Sequence, residues 1–495
     1  MSYPTLKPNS SWFTPTLNTT KRNLITVINI VDSHTPSNTI IDSWDASLAQ
    51  DGSIMCYLNG TTLTIAGNGF GKIMANEDAS YMFSDSGAAD YFSSVTVING
   101  LSMLDTSEAY TTAQMFGLAS QLKTLDIENF DTRNSTSFRS MFNGCSSIEE
   151  LNLSSWNTGK VESLHGTFSG CSSLKSLNVS TWDVSNVTTM YGTFNKCYSL
   201  TELDVSDWNT EKVQDLKMAF ASCKSLISLD VSRWNVSSSI SLERTFTHCE
   251  AIEYLDISKW NVSSVSNYYG TFAYCGKLKE LDLSTWNVSS ATTMMLCFKD
   301  CQSLEKLNLS SWNTKNVTSF KQMFQGCVYL KELDVSNFDT ANSDSMHNMF
   351  DKMYRLERIT VGSKFNFCGN GSTVRGNFVA PSSDYIPNAD GKWYLVNGTA
   401  YAPGDIPNLT AATYYATLAI AVWDVDSKKY MHLAAMRVYH DLLNADIDTK
   451  FDTFREELGD YDISVSAIQT KASTEYTEED AEIWVFNCGT STVLV

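Results

Sequence analysis

The sequence predicts a β-rich α/β solenoid, a right-handed coil of about ten 26-residue rungs with β caps and a small α+β module at its end. Three observations carry this. The first is recurrence: Phe194, Cys197, Leu200, Leu203, Val205 and Trp208 return 26 residues later as Phe220, Cys223, Leu226, Leu229, Val231 and Trp234. The second is unbroken register. A cysteine column runs Cys145, Cys171, Cys197, Cys223, Cys249, Cys275, Cys301 and Cys327, and a tryptophan column runs Trp156, Trp182, Trp208, Trp234, Trp260, Trp286 and Trp312. The third is charge. One column reads Glu253, Lys279, Glu305, Lys331, Glu357 and its neighbour Glu280, Lys306, Glu332, Arg358, alternating in sign at the same offset. Residues that far apart are then cross-strand neighbours, where opposite charges attract and like charges oppose. Such a ladder fixes register more than it adds stability.

One rung cannot fold alone, because six large apolar side chains do not offset the entropy of ordering 26 residues. Stacking resolves the deficit, since each rung covers both faces of the next.

Taken in order, residues 1–80 lack the repeat and read as a β capping module over the first rung. Leu24 to Val31 and Ile54 to Leu58 are strand-like runs, and Asn59-Gly60 before Thr61 to Ala66 is a hairpin signal. The solenoid is expected over 81–363, degenerate at first around Met82-Phe83, Phe92 and Leu101 to Leu104, then firm from Met115-Phe116. Its ends are marked in the same columns: Ala119 and Met353 replace Cys, Phe130 and Phe338 replace Trp. Within a rung, alternation at Leu203 and Val205 predicts a short strand with one face inward. The three-to-four spacing of Met190, Phe194, Cys197 and Leu200 predicts a helical turn on the opposite wall. Asn209, Asn235 and Asn261 supply turn chemistry after the tryptophan. Residues 364–418 read as a β extension or linker, and 419–495 as a helix-containing module. There an apolar stripe from Leu433 to Leu458 predicts a helix over about 429–458, with a closing strand around Glu482 to Asn487. That stripe either packs on its own module or forms an intermolecular bundle.

The chain has 495 residues, a formal charge of −20 and a pI near 4.7, with no basic run to grip phosphates or anionic lipid. Nucleic acid is excluded as a partner, and no stretch is long enough for membrane insertion. No apolar run follows Met1 to Lys7 to serve as a signal peptide, and no lipobox cysteine or sorting motif is read. Twelve cysteines invite a disulfide reading. Columned thiols in a parallel stack point the same way rather than at each other, so a ladder of buried small hydrophobes is expected.

The Leu-x-x-Leu-x-Leu/Val segment, the Trp-Asn/Asp-Thr/Val step and the following Met-x-x-x-Phe-x-x-Cys closely resemble the BspA-type leucine-rich-repeat surface proteins, over roughly residues 80–363. Ser43-Trp44-Asp45 with Asp51-Gly52-Ser53 resembles that family's opening segment. Gly391-Lys392-Trp393-Tyr394 with Asn397 to Ala402 resembles the segment that follows its repeats. The resemblance implies a leucine-rich-repeat coil used for adhesion or ligand recognition at a surface, without catalysis. This chain departs from secreted members in lacking a signal peptide and wall anchor. Tyr430 to Asp446 resembles helical segments of phage tail or fibre proteins.

Several groups carry a functional reading beside a plainer one. The tryptophans are either an aromatic platform for sugars or core packing, and the inward corner position predicts core. Asp204, Asp230, Asp256 and Asp282 lie between inward residues and face out. Stacked carboxylates repel by about 1 kcal/mol per contact in water and either collect cations or hydrogen-bond to backbone and hydroxyls. Substitution by Asn178 and Asn308 in that column favours hydrogen bonding. With Arg233, Tyr254 and Lys259, which vary between rungs, these aspartates are the candidate binding residues. The histidines His34, His165, His248, His347, His432 and His440 have no metal or triad spacing, and no phosphate loop or nucleophile elbow occurs. No catalytic residue, cofactor or metal is expected. Asn-x-Ser/Thr triplets such as Asn235-Val236-Ser237 follow from turn chemistry and need not mean glycosylation. The expected role is a virion-associated tail, head-fibre or decoration protein. Its repeat array would bind a host-surface protein or glycan, and a terminal module would hold other virion or surface-assembly proteins. The alternative is a bacterial or protist cell-surface adhesin, and homo-oligomers are left open.

Overall fold

A computed structural model describes residues 3–17, 20–84, 91–369, 376, 378–387, 389–395 and 399–417, with the backbone alone of residues 420–424, 429–433, 485–488 and 491–494. Strands β3 (Met55–Asn59) and β4 (Thr62–Ala66) form an antiparallel hairpin turned at Asn59-Gly60, where Gly60 takes a left-handed φ of 60°. β2 (Asp42–Asp45) adds to β3, and β1 (Val27–Val31) runs parallel to both β4 and β6 (Val97–Asn99), giving the order β2-β3-β4-β1-β6. This sheet continues directly into the array through β6. Trp12, fully buried, lies parallel to Phe92 at 6.1 Å and edge-on to Phe83 at 6.2 Å, and its Nε1 donates to the Met82 carbonyl at 2.8 Å. The face that an open first rung would expose is thereby covered.

Beyond it the chain is a repeat solenoid. A column of parallel bridges passes from Asp78 through Thr111, Ser137, Ser163, Thr189, Asp215, Ser241, Asn267, Thr293 and Ser319 to Ser345. On the other wall β8 (Glu150–Asn152) pairs with β9 (Ser176–Asn178), β10 (Glu280–Asp282) with β11 (Lys306–Asn308), and β12 (Glu332–Val335) with β13 (Arg358–Val361), each parallel and in the 26-residue register. A bridge from Tyr254 to Glu280 extends the same wall, and β5 (Ile73–Met74) pairs in parallel with β7 (Leu104–Asp105), the position that the tryptophan column takes in later rungs. Across 201–205 and 227–231 no strand forms, although Leu203 and Val205 are buried as the alternation requires.

Between the walls the core is one cluster running from Leu6 to Ala416. Phenylalanines stack in a file, with Phe168 and Phe194 at 5.7 Å and Phe194 and Phe220 at 5.5 Å. The indoles stack nearly parallel at 6.2 to 6.5 Å, and Phe130 and Phe338 continue that file at its two ends. Each indole Nε1 donates to a main-chain carbonyl 29 residues earlier, as Trp234 does to Val205 at 3.0 Å. The ladder thiols do the same, Cys223 Sγ donating to the Phe194 carbonyl at 3.2 Å. A buried polar hydrogen without a partner is costly, so both columns are satisfied by the preceding rung. The cysteines of the column are free, and burial pushes Cys145, Cys223 and Cys275 up to about 12.

The helical turn expected over Met190 to Leu200 is not formed, and among the described residues there is no α-helix. The amides explain why. Leu164, Gly166, Phe168 and Gly170 donate to the carbonyls of Thr189, Tyr191, Thr193 and Asn195 in the next rung, while Thr167, Ser169 and Cys171 donate three residues back. Half the donors a helix would use are thus spent between rungs. The winding needs two left-handed residues per rung, four apart: Gly166 and Gly170, then Gly192 and Lys196, then Met218 and Ser222, then Arg244 and His248. The expected turn chemistry is present, Asn209 Oδ1 accepting from Glu211 N at 3.2 Å and Asn235 Oδ1 from Ser237 N at 3.1 Å.

After the last rung, β13 pairs antiparallel with β16 (Ala412–Tyr415), which carries β14 (Trp393–Tyr394) and β15 (Ala400–Tyr401). Phe378 packs edge-on to Phe350 at 5.4 Å, so aromatic side chains cover this end too. β17 (Ile420–Asp424), β18 (Lys429–Leu433), β19 (Val485–Cys488) and β20 (Ser491–Leu494) form a sheet ordered β18-β17-β20-β19. The expected closing strand, around Glu482 to Asn487, overlaps β19 over 485–487. The helix expected from Lys429 begins instead as β18, whose backbone pairs residue for residue with β17 from Ile420↔Leu433 to Asp424↔Lys429. The remainder of that expected helix, 434–458, lies outside the described residues.

Candidate recognition surface on the strand wall

The outward face of the strand wall is built from triads in which one side chain points in and its two neighbours point out. Asp204, Asp230, Asp256 and Asp282 all lie exposed in one column. Each Oδ1 accepts from the backbone two residues on: Ser206 N at 3.2 Å, Ser232 N at 3.0 Å, Ser258 N at 3.1 Å and Ser284 N at 3.1 Å. In three of them the serine hydroxyl adds a second bond, at 2.8 Å from Ser206, 2.7 Å from Ser232 and 2.8 Å from Ser258. These bonds from Ser232 hold the Asp230 carboxyl below its ordinary range. Asn152, Asn178 and Asn308 perform the same turn with a neutral oxygen. An acceptor oxygen is all the turn requires, so the negative charge at the aspartates is not needed by the fold.

An open groove of about 1200 Å³ lies on this face. It is bounded by Tyr254 and Tyr329, which are 57% and 44% exposed, and it brings together Tyr254, Asp256 and Asp282 from the candidate residues. Lys279 Nζ lies 5.4 Å from the Tyr254 ring and Arg355 4.3 Å from the Tyr329 ring. Asp204 and Asp230 continue the column on earlier rungs outside the groove. Arg233, also outside it, pairs with Asp207 at 2.7 Å, and Lys259 is exposed at the strand's end. Glu305 and Lys331, read from sequence only as members of the charge ladder, also line the groove, as do Tyr329 and Arg355, which were not singled out. The signal for Tyr329 was departure from the repeat: it stands where Ser225 and Ser303 occur in other rungs.

The charge columns are cross-strand neighbours. Lys279 meets Glu253 at 2.6 Å, Lys306 meets Glu280 at 3.5 Å, Lys331 meets Glu357 at 3.2 Å, and Arg358 bonds Glu332. The tryptophan and cysteine columns lie inside and contribute no surface. Among the described residues no group of three or more His, Cys, Asp or Glu is placed to share a metal ion. His165 and His248 stack on Tyr191 at 4.6 Å and Tyr274 at 4.3 Å, away from this face on the turn wall. Among the described residues no helix is long and apolar enough to cross a membrane.

No curated protein matches the chain. Among solved structures it is similar to the TLR13–ssRNA13 complex, with 16% identity, a TM-score of 0.17, and coverage of 49% of this chain and 42% of that one. It is also similar to the Toll–Spätzle complex of Drosophila, with 12% identity, a TM-score of 0.19, and coverage of 66% of this chain and 53% of that one. The chain therefore spans about half the length of these proteins, and at such TM-scores the likeness carries no argument about arrangement or ligand. The repeats themselves match one family in overlapping stretches, 77–177, 138–254, 163–280 and 240–361. Because these stretches together span residues 77–361, more than half of the 495-residue chain, the protein belongs to the family described as Mycoplasma protein of unknown function, DUF285.

Proposed function

We propose that this leucine-rich-repeat type solenoid is a non-catalytic recognition protein whose strand wall is its docking face. The observation that carries the reading is the division of labour within a rung. The inward columns repeat with little change, whereas the exposed column of Ser228, Tyr254, Glu280 and Lys306 changes at every rung. A surface that had only to be soluble would not need two half-exposed tyrosines flanking one groove. The partner is a host-surface protein or glycan.

In the finer reading the chain divides into a capping module over 1–80, the array over 81–363, an extension over 364–418 and a terminal module over 419–495. The array is displayed outward on a virion, and the terminal module joins the assembly. A bacterial cell surface is the second setting, supported by the family's description as a Mycoplasma family.

Binding of the labelled protein to intact host cells tests the docking face. The double variant Tyr254→Ala, Tyr329→Ala is expected to lose most binding while keeping its melting temperature. Unchanged binding would remove the strand wall as the site. Gold-labelled antibody viewed on purified particles and on cells decides the setting, and label on neither surface would discard both.

A further inference from the structure

The groove carries more carboxylates than cations. The charge column that enters it at Glu305 and Lys331 reads Glu253, Lys279, Glu305, Lys331, Glu357, three carboxylates and two lysines. Both lysines turn outward from the middle, Lys279 to Glu253 at 2.6 Å and Lys331 to Glu357 at 3.2 Å. Glu305 is left between them with no ion pair among the described residues. The neighbouring column is balanced, since Glu280 and Lys306 pair, as do Glu332 and Arg358. The next one outward adds Asp256 and Asp282, whose charges the turns do not use. Five carboxylates and three cations line the groove in all, and the one cation outside these pairs, Arg355, sits on the Tyr329 ring. An anionic ligand would add to this excess, and a neutral sugar would leave it uncompensated.

We infer that the groove takes a basic, extended segment of a partner protein, with a lysine or arginine seated over Glu305 and the chain lying against Tyr254 and Tyr329. The positive side chain gives Glu305 the counter-charge that Lys279 and Lys331 spend on Glu253 and Glu357. Tyrosine rings supply apolar contact and cation–π attraction to further basic residues. The inference rests on the strand wall being the docking face and names what that face holds.

The test uses the full chain and a fluorescent peptide of alternating lysine and serine, read by anisotropy. An alternating glutamate–serine peptide and a neutral glucose polymer are the comparators. The lysine peptide alone is expected to bind, more weakly as salt is raised. Glu305→Gln should weaken it about fivefold, the loss of one exposed charge pair, and Glu305→Lys should abolish it. Tyr254→Ala should weaken it too. Glu211→Gln, an exposed acid outside the groove, should leave it unchanged. Equal weakening by Glu211→Gln would show only attraction to a protein of charge −20, and overturn the inference. No effect of Glu305→Gln would overturn it as well. Glucose-polymer binding that depends on Tyr254 would overturn it while leaving the docking face intact. Failure of every strand-wall variant to alter cell binding would instead remove the underlying reading.

Discussion

The two walls of the array are built from the same period yet do different work. The turn wall is bridged without interruption from Asp78 to Ser345, and its amides alternate between local turns and the next rung. The strand wall is paired in stretches, at 150–178, 280–308 and 332–361, and across 201–205 and 227–231 no strand forms among the described residues. Hydrogen bonding is carried by the first wall and variety by the second. Where the backbone holds register, side chains on the opposite wall are released from doing so, and sequence can change there at little structural cost.

The sharpest way to break this comparison is to remove a stacked ring next to the turn wall. Phe220 is fully buried between Phe194 and Phe246, and Phe220→Ala should destabilise by about 3–5 kcal/mol in urea unfolding. Asp204→Asn on the strand wall, which keeps the acceptor oxygen of the turn, should change stability by under about 0.5 kcal/mol. Equal losses would erase the distinction.

Alkaline unfolding comes next. Burial raises the ladder thiols in the folded state, so unfolding releases protons above the ordinary thiol value of about 8.5. Stability is therefore whole below that pH and falls as pH rises toward 12, more steeply than one group would allow. Cys223→Ala should make the fall shallower at some cost in stability at pH 7. Alkylation by iodoacetamide at pH 8 should spare the ladder until the protein unfolds.

Backbone conformation gives a smaller effect of either sign. Gly170 has φ +77°, and a Cβ added there would lie 3.4 Å from the backbone of Gly144, so Gly170→Ala should cost about 1 kcal/mol or more. Lys196, in the same column at φ 61°, occupies a left-handed position without being glycine. Lys196→Gly should be neutral or stabilise by up to about 1 kcal/mol. Amide exchange supplies the least perturbing check: Phe168 and Gly170 should exchange more slowly than Leu203 and Leu229.

Much of this was readable in the sequence. The stacking of Trp208 on Trp234, the burial of the cysteines and the meeting of Glu280 with Lys306 follow from residues recurring at a fixed offset, which only a stacked coil can place together. The conformation of the Phe194 to Cys197 segment was not readable, because its three-to-four apolar spacing is shared by a helix and by a turn with left-handed residues. The groove was half readable. Tyr254, Asp256 and Asp282 stood out by exposure pattern, while Glu305 looked like one more member of an alternating ladder.

What the sequence determined by itself was therefore the repeat: which residues form columns and which columns face inward. The tertiary structure decided how each column is satisfied. Indole and thiol donors reach carbonyls 29 residues back, and Lys279 and Lys331 each pair with one of the two glutamates 26 residues away on either side. Periodicity records adjacency between rungs, whereas the partner a donor takes depends on direction and distance within the assembled coil, which no column of letters contains.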